Sequence, residues 1–232
     1  MNVLAVETST PLGSVALITD EGTTEVTWDQ QQSHAEVITN ETDKLLKLSN
    51  LRLEDIDAFA CGVGPGSFTG IRVGLNYVRT LAYCHDKPVM TLNSLELLAL
   101  PALKKHEDVF CMQTAFRNLF YVAHFRRDGS DYDEILEPKA WTLAELEQYK
   151  TNSTIVVGEA FQKYEKLLNK DVLQDFSRDN ELPDRPRASS FQYMNLSCRD
   201  ASDFQPWSET RPLYIRASEA EEKLRKGLLK PL

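Results

Sequence analysis

Five of the ten glycines lie between positions 62 and 74, in the run Cys61-Gly62-Val63-Gly64-Pro65-Gly66-Ser67-Phe68-Thr69-Gly70-Ile71-Arg72-Val73-Gly74. A glycine turn between a strand and a helix aims backbone N–H groups and the positive end of the helix dipole at an anion. On that reading Thr8, Ser9, Gly64, Gly66 and Ser67 form a vestigial phosphate loop. The spacing meets neither nucleotide fingerprint: Gly-x-x-x-x-Gly-Lys is absent, and Gly64-x-Gly66-x-x ends on Thr69. The second reading is close packing. Gly66, Gly70 and Gly74 recur at every fourth position, and a glycine inside a helix costs about 1 kcal/mol against alanine. A stripe of missing side chains lets another layer approach closely, whether the chain's own or a partner's.

The remaining reactive types are scattered. His34, His85, His106 and His124 form no His-x-x-x-His or His-Glu-x-x-His pair, so no metal site assembles locally. Cys61, Cys84, Cys111 and Cys198 never reach a Cys-x-x-Cys spacing and read as buried free thiols. Ser67 has no Gly-x-Ser-x-Gly elbow around it, which argues against a serine peptidase. No catalytic residue is expected.

Hydrophobic periodicity supplies the elements that must carry these residues. Strands are expected at 3–6, 14–19 and 23–28 around the turn Asp20-Glu21-Gly22. Ser33, with Glu36 three residues on, reads as a capping box opening a helix over 34–48. A buried strand at 58–63, a helix over 68–83, a strand at 88–92 and a helix opened by Asn93 or Ser94 follow. The second half repeats much of this order: strands at 109–113, 119–125 and 132–137, a helix at 143–149, a strand at 155–157 and a helix near 161–168. Two rounds of βββαβα predict a duplicated α/β unit whose second lobe is degenerate, with lobes at 1–104 and 105–232. The segment 171–187 reads as an irregular loop, 212–216 as a short strand and 219–226 as a charged helical tail.

Composition narrows the partners. The 232 residues are 42% hydrophobic and 26% charged, with 26 basic against 35 acidic side chains, enough for a core and too ordered a composition for a disordered chain. Residues 1–116 hold 8 basic and 15 acidic groups and residues 117–232 hold 18 and 20. The first half would repel a polyanion such as RNA, so any RNA role would have to be shared. The basic side chains of the second half, among them Arg185, Arg187, Lys223, Arg225, Lys226 and Lys230, read as a solvated face. The longest uncharged stretch, 58–71, is too short to span a bilayer, and the N-terminus does not resemble a secretory signal. A cytoplasmic protein is expected.

The run from Gly64 to Gly74, the opening Leu4-Ala5-Val6-Glu7-Thr8-Ser9 with Ser14-Val15-Ala16-Leu17, the Ser33-His34 helix start and the closing Pro212-Leu213-Tyr214-Ile215-Arg216 resemble the TsaB (YeaZ) family. That family is the non-catalytic subunit of the bacterial machinery that installs N6-threonylcarbamoyladenosine on tRNA. The likeness is densest over the first hundred residues. Where such proteins tend to carry Asp-Ala-Arg before a strand, this chain reads Thr114-Ala115-Phe116.

The resemblance implies a duplicated actin-like, Hsp70-like fold and a heterodimer with the catalytic paralogue TsaD through helices of the first lobe. It further implies a docking surface for the ATPase TsaE, homodimers in the partner's absence, and tRNA only as part of the complex. On that basis His34, Val37, Ile38, Glu41, Leu45, Gly70, Gly74, Tyr77, Val78 and Leu81 are expected at the partner interface, with the glycine stripe as docking groove. The paralogue holds its metal with a His-x-x-x-His pair. The matching segment here, His34-Ala35-Glu36-Val37-Ile38, offers one imidazole, so His34 reads as a surface residue at a helix start and no metal or other cofactor is expected. The alternative is a nucleotide-dependent actin-like kinase or ATPase, with Thr8, Ser9 and the turn from Gly64 to Gly70 at the phosphate of ATP.

Overall fold

The computed structural model describes residues 1–29, 33–115, 118–151, 153–165, 174–194 and 203–216. Cys198, Phe116, the helix end expected at 166–168, the tail at 219–226 and the basic residues Lys223, Arg225, Lys226 and Lys230 lie outside them.

The first lobe is built from β1 (Val3–Glu7), β2 (Gly13–Thr19), β3 (Gly22–Trp28), α1 (His34–Leu48), β4 (Ala58–Gly62), α2 (Phe68–His85), β5 (Val89–Leu92) and α3 (Ser94–Leu103). The second follows with β6 (Asp108–Thr114), β7 (Phe120–Asp128), β8 (Asp131–Trp141), α4 (Leu143–Gln148), β9 (Thr154–Val157), α5 (Glu159–Tyr164) and β10 (Phe176–Ser177). One sheet has the order β3-β2-β1-β4-β5 and the other β8-β7-β6-β9-β10. In each, the first three strands are antiparallel and the last two join in parallel. The duplication expected from element order is therefore present as the same topology twice.

Period-two alternation assigns the faces. In β1, Leu4 and Val6 join Ile38, Leu45, Leu75 and Val78 of α1 and α2, while Val3 and Ala5 join Leu97, Leu100 and Phe191 on the opposite side. In β6, Val109 and Cys111 pack with Leu95, Leu98 and Ala102, and Phe110 and Met112 pack with Leu146, Phe161 and Phe176. Both central strands are covered on both faces, which is why they read as apolar runs. The result is five layers, with α1 and α2 outside one sheet, α4 and α5 outside the other, and α3 between them. A helix apolar on every side belongs in such a place, and eight of the ten residues of α3 are buried.

Helix starts differ from the sequence expectation in two cases. Ser33 makes no side-chain cap bond, so the expected capping box does not form, and Glu36 N–H bonds the Ser33 carbonyl instead at 2.9 Å. Asn93 does cap α3, and Ser67 caps α2 by accepting from Gly70 N–H. A reciprocal box forms at Thr142 and Glu145, where none was foreseen. Residues 212–216 are not a strand: this stretch sits in no ladder, and Leu213 N–H bonds the Val63 carbonyl at 2.8 Å. The 3-10 helix Ala188–Tyr193 and the segment 203–213 return to the first lobe, on β2 and beside β5 respectively. Among the described residues no helix is long and apolar enough to cross a membrane.

Candidate functional site

The glycine stripe faces inward. A Cβ on Gly66 would collide with the Ser9 carbonyl, one on Gly70 with the Thr8 carbonyl, and one on Gly74 with Thr8 Oγ1 and, at 3.3 Å, Val6 Cγ1. The missing side chains let α2 ride directly on β1 and its following turn, and Thr8 Oγ1 closes the contact by donating to the Gly70 carbonyl at 2.8 Å. This corrects the docking-groove expectation: the track is already filled by the chain's own β-layer.

The same correction reaches most of the expected interface residues. Val37, Ile38, Leu45 and Val78 are buried in the core beneath α1 and α2, and Gly70 and Gly74 are buried against β1. His34 is not a surface residue either. Its Nδ1 accepts from Trp28 Nε1–H at 2.9 Å and its Nε2 faces the Thr10 carbonyl at 3.0 Å, so Nε2 carries the proton. Burial holds its pKa below the usual imidazole value. A ring committed at both nitrogens is a brace between β3, the β1–β2 turn and α1, with no nitrogen left for a metal. Of the ten, Glu41, Tyr77 and Leu81 remain partly accessible. The outward faces of α1 and α2 instead present Leu48, 76% exposed, and Tyr83, 66% exposed, the latter edge-on to Trp207. Cys61 and Cys111 are buried as expected, whereas Cys84 is exposed on α2.

The vestigial phosphate loop is occupied by internal bonds. Gly64 N–H donates to Ser94 Oγ at 3.1 Å, Ser67 N–H to the Ser9 carbonyl at 2.6 Å, Gly70 N–H to Ser67 Oγ at 3.2 Å, and Ser9 N–H to Glu7 Oε1 at 2.5 Å. Glu7, fully buried at the end of β1, also accepts from Ser94 Oγ at 2.8 Å. Its pKa is raised by burial, against the opposing pull of the Ser9 and Ser94 bonds. A Cβ on Gly62 would strike this carboxylate, so Gly62 exists to admit it. Sequence reasoning missed Glu7 as a structural group; its signal was a lone acid ending an otherwise apolar central strand.

Between the carboxyl ends of β1 and β6, the corresponding strands of the two lobes, lies a cavity of about 560 Å³. The turns after β1 and β4 bound it on one side, the end of β6 and the start of α5 on the other, and Leu213–Arg216 along a third. Phe68 and Tyr214 stack at 4.1 Å on its wall, with Arg72 over Phe68 and bonded to Tyr214 Oη at 2.9 Å. Ser67 touches the cavity, yet among the described residues no histidine bonds it.

Comparison with known proteins follows this geometry. The chain is 31% identical over 236 residues to the tRNA threonylcarbamoyladenosine biosynthesis protein TsaB of Haemophilus influenzae, with 97% of each chain covered. The chain belongs to the TsaB family. The TsaB of Escherichia coli is 28% identical, over 97% of this chain and 98% of its own. The family model for TsaD, tRNA N6-adenosine threonylcarbamoyltransferase, matches residues 24–182, and the transferase of Novosphingobium aromaticivorans is 31% identical over 59% of this chain and 36% of its own. Among solved structures, YeaZ from Pseudomonas aeruginosa superposes with a TM-score of 0.79 at 21% identity, covering 92% of this chain and 99% of that one. That likeness speaks for the fold. For this TsaB-family chain, the match to the transferase model shows sequence similarity to that family over residues 24–182.

Proposed function

We propose that this chain is the non-catalytic subunit that binds and activates a TsaD-like catalytic paralogue in cytoplasmic tRNA threonylcarbamoyladenosine biosynthesis. The chain's part in that biosynthesis rests on its near full-length match to TsaB proteins. The partner transfers threonylcarbamoyl to N6 of adenosine 37; residues 1–104 form the dimerisation lobe, a TsaE-like ATPase docks on the joint surface, and tRNA binds the assembly only. The chain forms homodimers when alone, through the same outward faces of α1 and α2.

The observation that supports this reading, beyond family membership, is that Leu48 on α1 and Tyr83 on α2 are each largely exposed on helices whose inner faces pack on the core. Large exposed side chains on an otherwise finished helix layer fit a surface that a partner covers. The internal bonding of the glycine turn weighs against the nucleotide-dependent alternative, because a phosphate would have to displace four bonds already made. The test is reconstitution: purified chain and TsaD-like paralogue, with threonylcarbamoyl-adenylate and tRNA, followed by mass analysis of the modified adenosine. Modification that needs both chains supports the reading. Modification by the paralogue at full rate without this chain, or ATP hydrolysis by this chain alone, defeats it.

A further inference from the structure

Three buried side-chain polar atoms among the described residues lack a hydrogen-bond partner, Ser9 Oγ, Gln113 Nε2 and Thr114 Oγ1, and all three residues line the cavity between the lobes. Gln113 is only 3% exposed. A buried amide without a partner costs about 1–3 kcal/mol, so three such groups converging on one cavity mark a place where something else completes the bonding. Ser9 Oγ stands beside the Glu7 carboxylate without making a bond of acceptable geometry; the argument therefore rests first on Gln113 and Thr114.

The charge around these groups selects the ligand. Lys163 and Arg185 both line the cavity, and among the described residues neither makes an ion pair. The lining acid, Glu159, is turned to the protein, where its Oε1 accepts from Thr114 N–H at 2.8 Å. In a chain with a net charge of −9, a cleft in which Lys163 and Arg185 outnumber the one acid, Glu159, carries a local excess of positive charge that focuses a field for an anion. The aromatic wall of Phe68 and Tyr214 adds apolar surface on the opposite side, and the cavity's volume suits a small molecule.

We propose that this cleft binds a small anion, carried as a phosphate ester or a carboxylate, with Gln113 and Thr114 as hydrogen-bond donors and Lys163 and Arg185 as countercharge. The proposed donors and countercharges lie on the second-lobe side, and the glycine turn forms part of the facing wall. Groups from both lobes line the cavity, so an occupant ties the lobes together. The inference goes beyond the subunit role and needs no partner chain to test.

Calorimetry and thermal unfolding of the full chain with inorganic phosphate and, separately, malonate test it, with ionic strength held constant by chloride. One of the two should give saturable one-site binding and a melting temperature that rises with its concentration. Arg185→Ala and Gln113→Met should each weaken that binding about tenfold or more, as loss of a bond to a charged group does. Tighter phosphate identifies a phosphate ester, tighter malonate a carboxylate. Because Arg185 is only partly buried, its variant remains informative if Gln113→Met fails to fold. Heats that never saturate, a melting temperature that climbs linearly as with any excluded salt, or binding that Arg185→Ala leaves unchanged overturns the proposal.

Discussion

A methyl group is enough to test what the glycines do. Gly70→Ala and Gly74→Ala each gain about 1 kcal/mol of helix propensity yet drive a carbon into Thr8, and overpacking of this kind costs about 1–3 kcal/mol. We expect urea midpoints to fall for both, with the monomer itself weakened; unchanged or raised midpoints would mean that the turn after β1 yields freely. His34 gives a second residue-scale expectation. Its folded pKa is lowered, so the chain loses stability as pH falls through the ordinary histidine value of about 6.5. Following the imidazole carbon proton by NMR should show titration below that value, and titration at or above it would contradict the brace. Glu7 has the opposite sign: its raised pKa makes the folded state hold a proton that the unfolded chain releases, so stability drops as pH rises from about 4.5 through the raised value. The stability difference between Glu7→Gln and wild type should shift toward the variant over that rise; a flat difference would mean that Glu7 is ionised throughout. Glu7 left only the signal of a lone acid ending an apolar strand and His34 left none, because which strand end or turn covers a side chain is not a local property.

At the scale of elements, α3 determines whether the two sheets act as one body. Leu97 packs toward the first sheet and Leu98 toward the second, both with no exposed surface. Truncation of a buried leucine costs about 2–5 kcal/mol, so Leu97→Ala and Leu98→Ala should each lower the melting temperature of one shared calorimetric transition. Two separated transitions in either variant would show the lobes to be independent. The helix and strand pattern was readable here because the apolar period changes from 2 to 3.6 at each boundary. The capping box at Ser33 was not, since the hydroxyl makes no cap bond in the fold. Residues 212–216 read as a strand for their apolar run; in no ladder of the fold, they meet the segment after β4 through the bond from Leu213 N–H to the Val63 carbonyl.

For the whole molecule the prediction concerns assembly. Leu48→Glu and Tyr83→Glu alter exposed positions, so stability should change by only about 0.5 kcal/mol or less, while light scattering should show loss of the dimer and of the complex with the paralogue. Assembly unaffected by the double variant would move the interface away from these helices. Gly70→Leu, by contrast, should damage the fold itself, so its failure to assemble would say nothing about docking.

Sequence alone determined the duplicated βββαβα order, the lack of any local metal or peptidase pattern, and the family, since these rest on the spacing of residue types along the chain. Tertiary structure decided which way each face turned. A stripe at i, i+4 fixes one side of a helix but not what lies against it, and only the folded chain shows β1 filling the glycine track, α3 enclosed between two sheets, and Gln113 and Thr114 brought from a distant strand to a cavity shared with Ser9. Those contacts join residues from 16 positions apart, Leu95 and Cys111, to 62, Thr8 and Gly70, and about a hundred across the cavity, distances over which local pattern carries no information because backbone and side-chain preferences act only between near neighbours.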